Sequence, residues 1–185
     1  MKLPYLFLFI SFIMTSTLSA QELSTEEQKL YKLISDYRKS LGLPVVPLSP
    51  ALTYVAQTHV KDLVVNKPDL GECNAHSWSA FGPWEGCCYT SDHSKASCPW
   101  NKPRELTGYK GNGYEIAVGS NKCCSDFVMT PEYALQSWIK SPAHHACMTN
   151  QSIWSQEWKA MGVGLYKGFA VVWFGHEVDK TVSIK

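Results

Sequence analysis

Apolar residues recur at helical spacing in three stretches of the chain. Leu30, Leu33, Ile34 and Tyr37 share one face, and Ser24 with Glu27 ahead of them reads as a capping box. Gly42 supplies the stop. Ser49-Pro50 reads as a second helix start, with serine as cap and proline where its missing N–H costs nothing. The stripe behind it is Leu52, Val55, Ala56, His59, Val60 and Leu63. Thr130-Pro131 repeats that start for a third helix, whose inward face is Ala134, Leu135 and Trp138. Residues 161–166 and 169–174 are short apolar runs joined at Lys167-Gly168, a pattern that predicts a hairpin. Across residues 68–112 periodicity gives way to Gly, Pro, Ser, Cys and aromatics, including Trp78, Trp84 and Trp100. Such a stretch has no regular face to bury and needs cross-links to hold it. Three helices, with strands late and between, predict an α+β layered domain.

The first twenty residues change the setting. Lys2 gives a basic start, residues 6–14 are apolar except for Ser11, and residues 16–20 are small and polar-leaning. This is the pattern of a secretory signal peptide, too short and wrongly flanked for a membrane span. Cleavage is expected after Ala20, with Ser19 the alternative, and no cysteine stands nearby to take a lipid anchor. The mature chain, 21–185, is expected to be one domain in a secreted, extracellular or periplasmic protein. Of the 17 Lys and Arg, Lys2 leaves with the signal, bringing the basic count level with the 16 Asp and Glu. A balanced chain without basic runs gives no support to a nucleic-acid or anionic-membrane partner.

All seven cysteines lie beyond the signal: Cys73, Cys87, Cys88, Cys98, Cys123, Cys124 and Cys147. In an exported chain they are disulfide candidates, and zinc-type C-x-x-C pairs are absent. The adjacent pairs Cys87-Cys88 and Cys123-Cys124 are expected to reach elsewhere, each other included, because a bridge within a pair is strained. An odd count leaves one thiol unbridged or used between chains, so the protein is a monomer or a thiol-linked dimer.

The densest chemistry lies in ALQSWIKSPAHHACM, residues 134–148. A helix carrying Trp138 is broken at Ser141-Pro142, and His144 and His145 come next, on an apparent turn held by a rigid element. Cys147, three residues on, could form a reactive Cys-His pair. In an oxidising compartment it is expected instead to be half of a disulfide. His59 lies on an apolar stripe and reads as a packed, hydrogen-bonded core histidine. His176-Glu177 begins like H-E-x-x-H, but Lys180 stands at the second histidine, which excludes the usual zinc-protease motif. No G-x-S-x-G or phosphate loop is present. Asn150-Gln151-Ser152 is a glycosylation sequon, relevant where the host glycosylates.

Several short motifs occur in an ordered series. They are Tyr37-Arg38 before Leu41-Gly42-Leu43, Ala56-Gln57-Thr58-His59, Ala75-His76-Ser77 and Gly113-Tyr114-Glu115-Ile116-Ala117. Trp138-Ile139-Lys140-Ser141-Pro142-Ala143-His144, Met161-Gly162-Val163-Gly164 and Trp173-Phe174-Gly175 complete it. Together, over about residues 30–178, the chain resembles the CAP superfamily: cysteine-rich secretory proteins, antigen 5 and group 1 pathogenesis-related proteins, also called SCP-like domains. Bacterial-type members are the nearest in style. The resemblance implies a three-layer α-β-α sandwich with a central antiparallel sheet.

It also implies a central cleft with two histidines and two acids, able in some members to hold a divalent metal such as zinc. His76 and His144 match the histidines. The acid of the family's G-E-N-I-A falls one place later here, at Glu115, leaving Tyr114 at the aligned position. The second acid is replaced by Ser141. Tyr114, Ser141 and His145 are therefore possible ligand contacts, His145 as a solvated neighbour. Two histidines and a displaced glutamate make a weak zinc set. The leading expectation is a secreted binding or effector module without catalysis, its cleft taking a metal, lipid or peptide. A metal-dependent hydrolase using His76, His144 and Glu115 is the second reading. A carbohydrate or cell-wall (glycan) binder using Trp78, Trp84 and Trp100 is the third, with packing around disulfides the favoured role for those rings. The cysteine-rich insert, about residues 77–112, departs from the plain family pattern and is placed to reshape or cover the cleft.

Overall fold

The computed structural model describes residues 22–123 and 126–180. The expected signal peptide and Cys124 lie outside them. In chain order the elements are α1 (Thr25–Ser40), α2 (Pro50–Asn66), α3 (Ser97–Leu106), β1 (Tyr114–Val118), α4 (Pro131–Lys140) and α5 (Pro142–Met148). A 3-10 turn (Ser152–Trp154), β2 (Ala160–Tyr166) and β3 (Phe169–Gly175) complete the order. The three strands form an antiparallel sheet of order β1-β3-β2.

Successive side chains of a strand point to opposite faces, and β3 uses both. Val172 and Phe174 enter one core with Leu30 and Ile34 of α1 and Leu135 and Trp138 of α4. Val171 and Trp173 enter a second with Leu52, Val55 and Val60 of α2. Helix, sheet and helix thus make the expected three-layer α-β-α sandwich. α2 lies so close to β2 that a Cβ on Gly162 would stand 2.1 Å from the carbonyl carbon of Leu52.

The caps form where serine and threonine precede the stripes. The Ser24 hydroxyl accepts from the Glu27 amide (3.2 Å), and Glu27 Oε2 accepts from the Ser24 amide (2.9 Å). Glu27 is buried, and it also accepts from Gln57 Nε2 of α2 (3.0 Å) and from the Leu165 amide of β2 (3.2 Å). Ser49 and Thr130 cap α2 and α4 through the amides of Leu52 and Tyr133. One sheet edge is closed by the chain itself. Ahead of α2, Pro47 and Ser49 bond the main chain of Met161 in β2 (2.9 and 2.8 Å).

Residues 68–112 contain one helix that periodicity does not reveal. α3 has no apolar stripe. It is held by a Cys87–Cys98 disulfide and by buried Lys102, which donates to the Glu85 carbonyl (2.5 Å) and to Glu105 (2.6 Å). A Cys73–Cys88 disulfide closes the loop ahead of it. The Cys87-Cys88 pair does reach elsewhere, but to Cys98 inside the insert and Cys73 just ahead of it rather than to Cys123-Cys124. The expectation of a bridged Cys147 is overturned. It carries a thiol, 3% exposed, at the base of the core where Trp158 Nε1 donates to its carbonyl (2.8 Å). The turn expected after Ser141 is α5, because proline fits the first turn of a helix, where no amide partner is lost. Asn150 of the sequon donates its side-chain nitrogen to the carbonyls of Trp154 (3.1 Å) and Gln156 (2.5 Å), bracing the loop after α5.

Candidate functional site

Alternation along β1 decides which side chain enters the site. Tyr114 and Ile116 turn toward the α1/α4 layer, and Ala117 toward α2. Glu115 therefore turns toward α2 and meets His59. Glu115 Oε1 lies 2.6 Å from His59 Nδ1, and Oε2 lies 2.8 Å from His76 Nδ1. The Glu115 side chain is 2% exposed and that of His59 is fully buried. His59 Nε2 donates to the Ser77 carbonyl (2.9 Å). A carboxylate and a carbonyl can only accept, so both ring nitrogens carry hydrogen and His59 is a buried cation.

The electrostatics agree with that geometry. Burial would lower the His59 pKa, but the charge and hydrogen bond of Glu115, with the Ser77 carbonyl, outweigh it and raise the pKa above its ordinary value. Burial likewise pushes Glu115 up, yet His59 and His76 overcome it and hold the carboxyl at about 2. The His59 ring stacks on Trp78 (4.2 Å between centroids, 6° between planes). On β1, then, the sequence places a fixed carboxylate that grips two histidines.

His76 enters from the loop just ahead of the insert, where its amide donates to Asn74 Oδ1 (3.0 Å). With Nδ1 bound to Glu115, Nε2 is the ring nitrogen left for a ligand. His144 comes from α5, and burial together with the neighbouring His76 lowers its pKa, only partly opposed by Glu115. It sits there as a neutral imidazole. His76, Glu115 and His144 all line a cavity of about 570 Å³, together with Tyr89, His93 and Trp100 of the insert and with Trp154. Tyr89 packs edge-on to His76, and its hydroxyl meets His93 Nδ1 at 2.8 Å.

Three expected contacts lie elsewhere. Tyr114 points away from Glu115 and packs against Trp100, Trp154, Trp158 and His176, with centroids 5.2–5.5 Å apart. It backs the aromatic walls and does not line the cavity. His145 is no solvated neighbour: its Nε2 meets the Tyr37 hydroxyl at 2.9 Å and ties α5 to α1. Ser141 is the joint between α4 and α5. Of the three tryptophans read as platforms, Trp78 is core and Trp84 packs edge-on against it (5.2 Å). Only Trp100 reaches the cavity. Trp154 and His93 carried no periodic or motif signal. The one hint was an Ile-Trp pair, Ile153-Trp154, in an otherwise polar run.

The cavity does not suit a catalytic zinc. Such a site takes three protein ligands and an open position. Here both oxygens of Glu115 are bound to histidine, and of the three histidines that line the cavity, His76, His93 and His144, the first two have Nδ1 engaged by Glu115 and by the Tyr89 hydroxyl. Among the described residues no group of three His, Cys, Asp or Glu is gathered to hold a metal. Cys147 also borders the cavity, but burial raises its thiol pKa far above the ordinary value despite nearby Arg38. It stays protonated and is a poor nucleophile.

Residues 31–173 match the family model described as the cysteine-rich secretory protein family, CAP. No curated protein matches the sequence significantly. Among solved structures, an outer surface protein of Borrelia burgdorferi superposes with a TM-score of 0.54 at 18% identity, covering 84% of this chain and 96% of its own. An extracellular SCP-domain protein of Bacillus anthracis gives 0.53 at 18% identity, over 85% of this chain and 45% of that one. A cysteine-rich secretory protein of Staphylococcus aureus gives 0.51 at 14%, over 82% and 39%. The chain thus spans nearly all of the first and less than half of the other two. At these identities the likeness is one of fold.

Proposed function

Because the chain belongs to the cysteine-rich secretory protein (CAP) family, a fold that does not by itself fix a ligand, we propose that it is an exported, non-catalytic binding module. Its ligand sits in the cavity over Glu115. The observation that carries this reading is the occupation of both Glu115 oxygens by His59 and His76. The one carboxylate of the cavity is spent on orienting His76 and is not available as a base, nucleophile or metal ligand. What remains is a binding surface: aromatic walls, and the three imidazoles of His76, His93 and His144, able to hydrogen-bond a polar group. The volume, about 570 Å³, falls in the range of ligand sites with mostly apolar walls and a few placed polar groups.

Export is supported by the signal-like N-terminus and by two disulfides, which persist in oxidising compartments. It also fits the structural neighbours from Borrelia burgdorferi and Bacillus anthracis, an outer surface protein and an extracellular one. Among the described residues no helix is long and apolar enough to cross a membrane.

The test uses the neutral dye Nile red with the oxidised protein, 21–185. Binding that gives a fluorescence rise in the wild type and is lost in Ala143→Trp, which fills the cavity from α5, supports the reading. Dye binding unchanged by Ala143→Trp, in a protein of unchanged circular dichroism, would remove it. Mature protein recovered outside the cytoplasm with Gln21 at its N-terminus would support export.

A further inference from the structure

The two edges of the sheet are treated differently. β2 is closed by the chain ahead of α2, through the main-chain bonds of Met161. β1, at the other edge, pairs with β3 alone, and no described segment forms a bridge to its outer side. Its backbone is open there. Glu115 as a whole is partly exposed although its side chain is 2% exposed, so the exposed part is main chain. An open strand edge is a row of unpaired N–H and C=O groups, which proteins ordinarily cover or blunt.

Here the edge lies at the bottom of a trench. Neighbouring residues of a strand point to opposite faces, so a cavity bordered by both Glu115 and Ile116 lies against the strand's edge. A smaller cavity of about 270 Å³ continues along Ala117, Gly119 and Ser120 and shares His76 and His144 with the first. A third, about 440 Å³, takes over at Val118, Gly119 and Ser120. Between them they border β1 from Glu115 to Val118, the third lying past the strand's end against the turn between β2 and β3. Over the N-terminal part of β1 the walls are Trp100 and Trp154. Past its C-terminal end they are Phe127, Met129 and Tyr133, with Lys67 and Lys167 at the rim. Neither lysine has a carboxylate partner among the described residues.

We propose that the outer edge of β1 is a docking strand for an extended peptide of a partner protein, which adds to the sheet as a fourth strand. The inference rests on the cavity being a binding site and specifies what it binds. Backbone groups in a row are matched best by another extended backbone, and side chains alternating along it reach both walls of the trench. An apolar or aromatic residue sits between Trp100 and Trp154. An acidic residue, or the partner's C-terminal carboxylate, sits at Lys67 and Lys167. Five strand residues at about 3.3 Å each give a footprint of about 16 Å, or a peptide of about seven residues with its flanks.

The experiment pans a phage library of linear peptides of about seven residues on the oxidised protein and resynthesises the winners. Winners are expected to carry an aromatic or aliphatic residue toward one end and an acid toward the other. N-methylation at one alternate set of winner residues should weaken binding about five- to tenfold per methyl, and at the other set hardly at all. Bound winner should slow hydrogen exchange at the outward amides of residues 114–118 and displace Nile red. The double change Lys67→Glu, Lys167→Glu should weaken the winners without moving Nile red. Absence of enriched peptides, or winners indifferent to N-methylation at every position, overturns the proposal. If Nile red then still binds and still responds to Ala143→Trp, the cavity remains a binding site and only the peptide is lost.

Discussion

His59 Nδ1 stands 2.6 Å from Glu115 Oε1, and neither side chain is more than 2% exposed. A buried ion pair is costly to form and more costly to break by halves, because the surviving partner is left charged in a poor solvent. Glu115→Gln should destabilise the protein by about 3–5 kcal/mol, read as a lower midpoint in urea. The double change His59→Phe, Glu115→Leu should recover most of that loss. A double variant no more stable than Glu115→Gln would contradict the pair's assignment as a charged one.

The same pair sets a pH window. Glu115, ordinarily at 4.5, is held at about 2, so its contribution is full above pH 4.5 and drains away as pH falls toward 2. His59 is raised above 6.5, so its contribution is full below pH 6.5 and is lost as pH climbs through the raised value. Stability from this pair should be greatest between pH 4.5 and 6.5. Urea midpoints measured across pH should fall on both sides, and Glu115→Gln should flatten both shoulders.

Cys147 should be silent toward alkylation. Its thiol is buried and kept protonated, and the thiolate is the reactive form. Iodoacetamide treatment and peptide mass mapping should leave Cys147 unlabelled in the native protein and label it fully in urea. Native labelling would mean that the cavity opens down to the thiol.

Reduction should empty the cavity before it unfolds the sandwich. Tyr89 and Trp100 belong to the insert closed by Cys73–Cys88 and Cys87–Cys98, whose sequence separations are 15 and 11 residues. Loops of that size are worth about 3 kcal/mol per bridge, whereas both cores are built mainly from the helices and strands outside the insert. Cys87→Ser with Cys98→Ser should lose Nile red binding while the circular dichroism of the remaining helices persists.

α1, α2, α4 and the hairpin were legible because each announces itself locally: a capping serine or threonine, a stripe, a two-residue turn. α3 was not, since it is held by a disulfide and by Lys102 under Trp78 rather than by an apolar face. The site was half legible. His76 and His144 could be placed from motifs, and His59 could be read as buried. Glu115 could be named beside them, but the direction of its side chain could not be read, because in a strand a one-residue shift turns a side chain to the other face of the sheet. Aligning on Ile116-Ala117 put Tyr114 in the acid's slot. The sheet puts Glu115 toward α2, where His59 and His76 wait, and only the fold brings those three together.

Glu27 begins as punctuation for a helix and ends as a keystone. Its carboxylate caps α1, accepts from Gln57 on the opposite layer and accepts from the Leu165 amide in the sheet between. Fraying of the first turn, ordinarily the cheapest motion a helix has, would here unlatch all three layers together. The amides of Glu27 and Gln28 should therefore exchange with solvent only when the whole molecule opens, and Glu27→Ala should speed exchange in α2 and β2 as much as in α1.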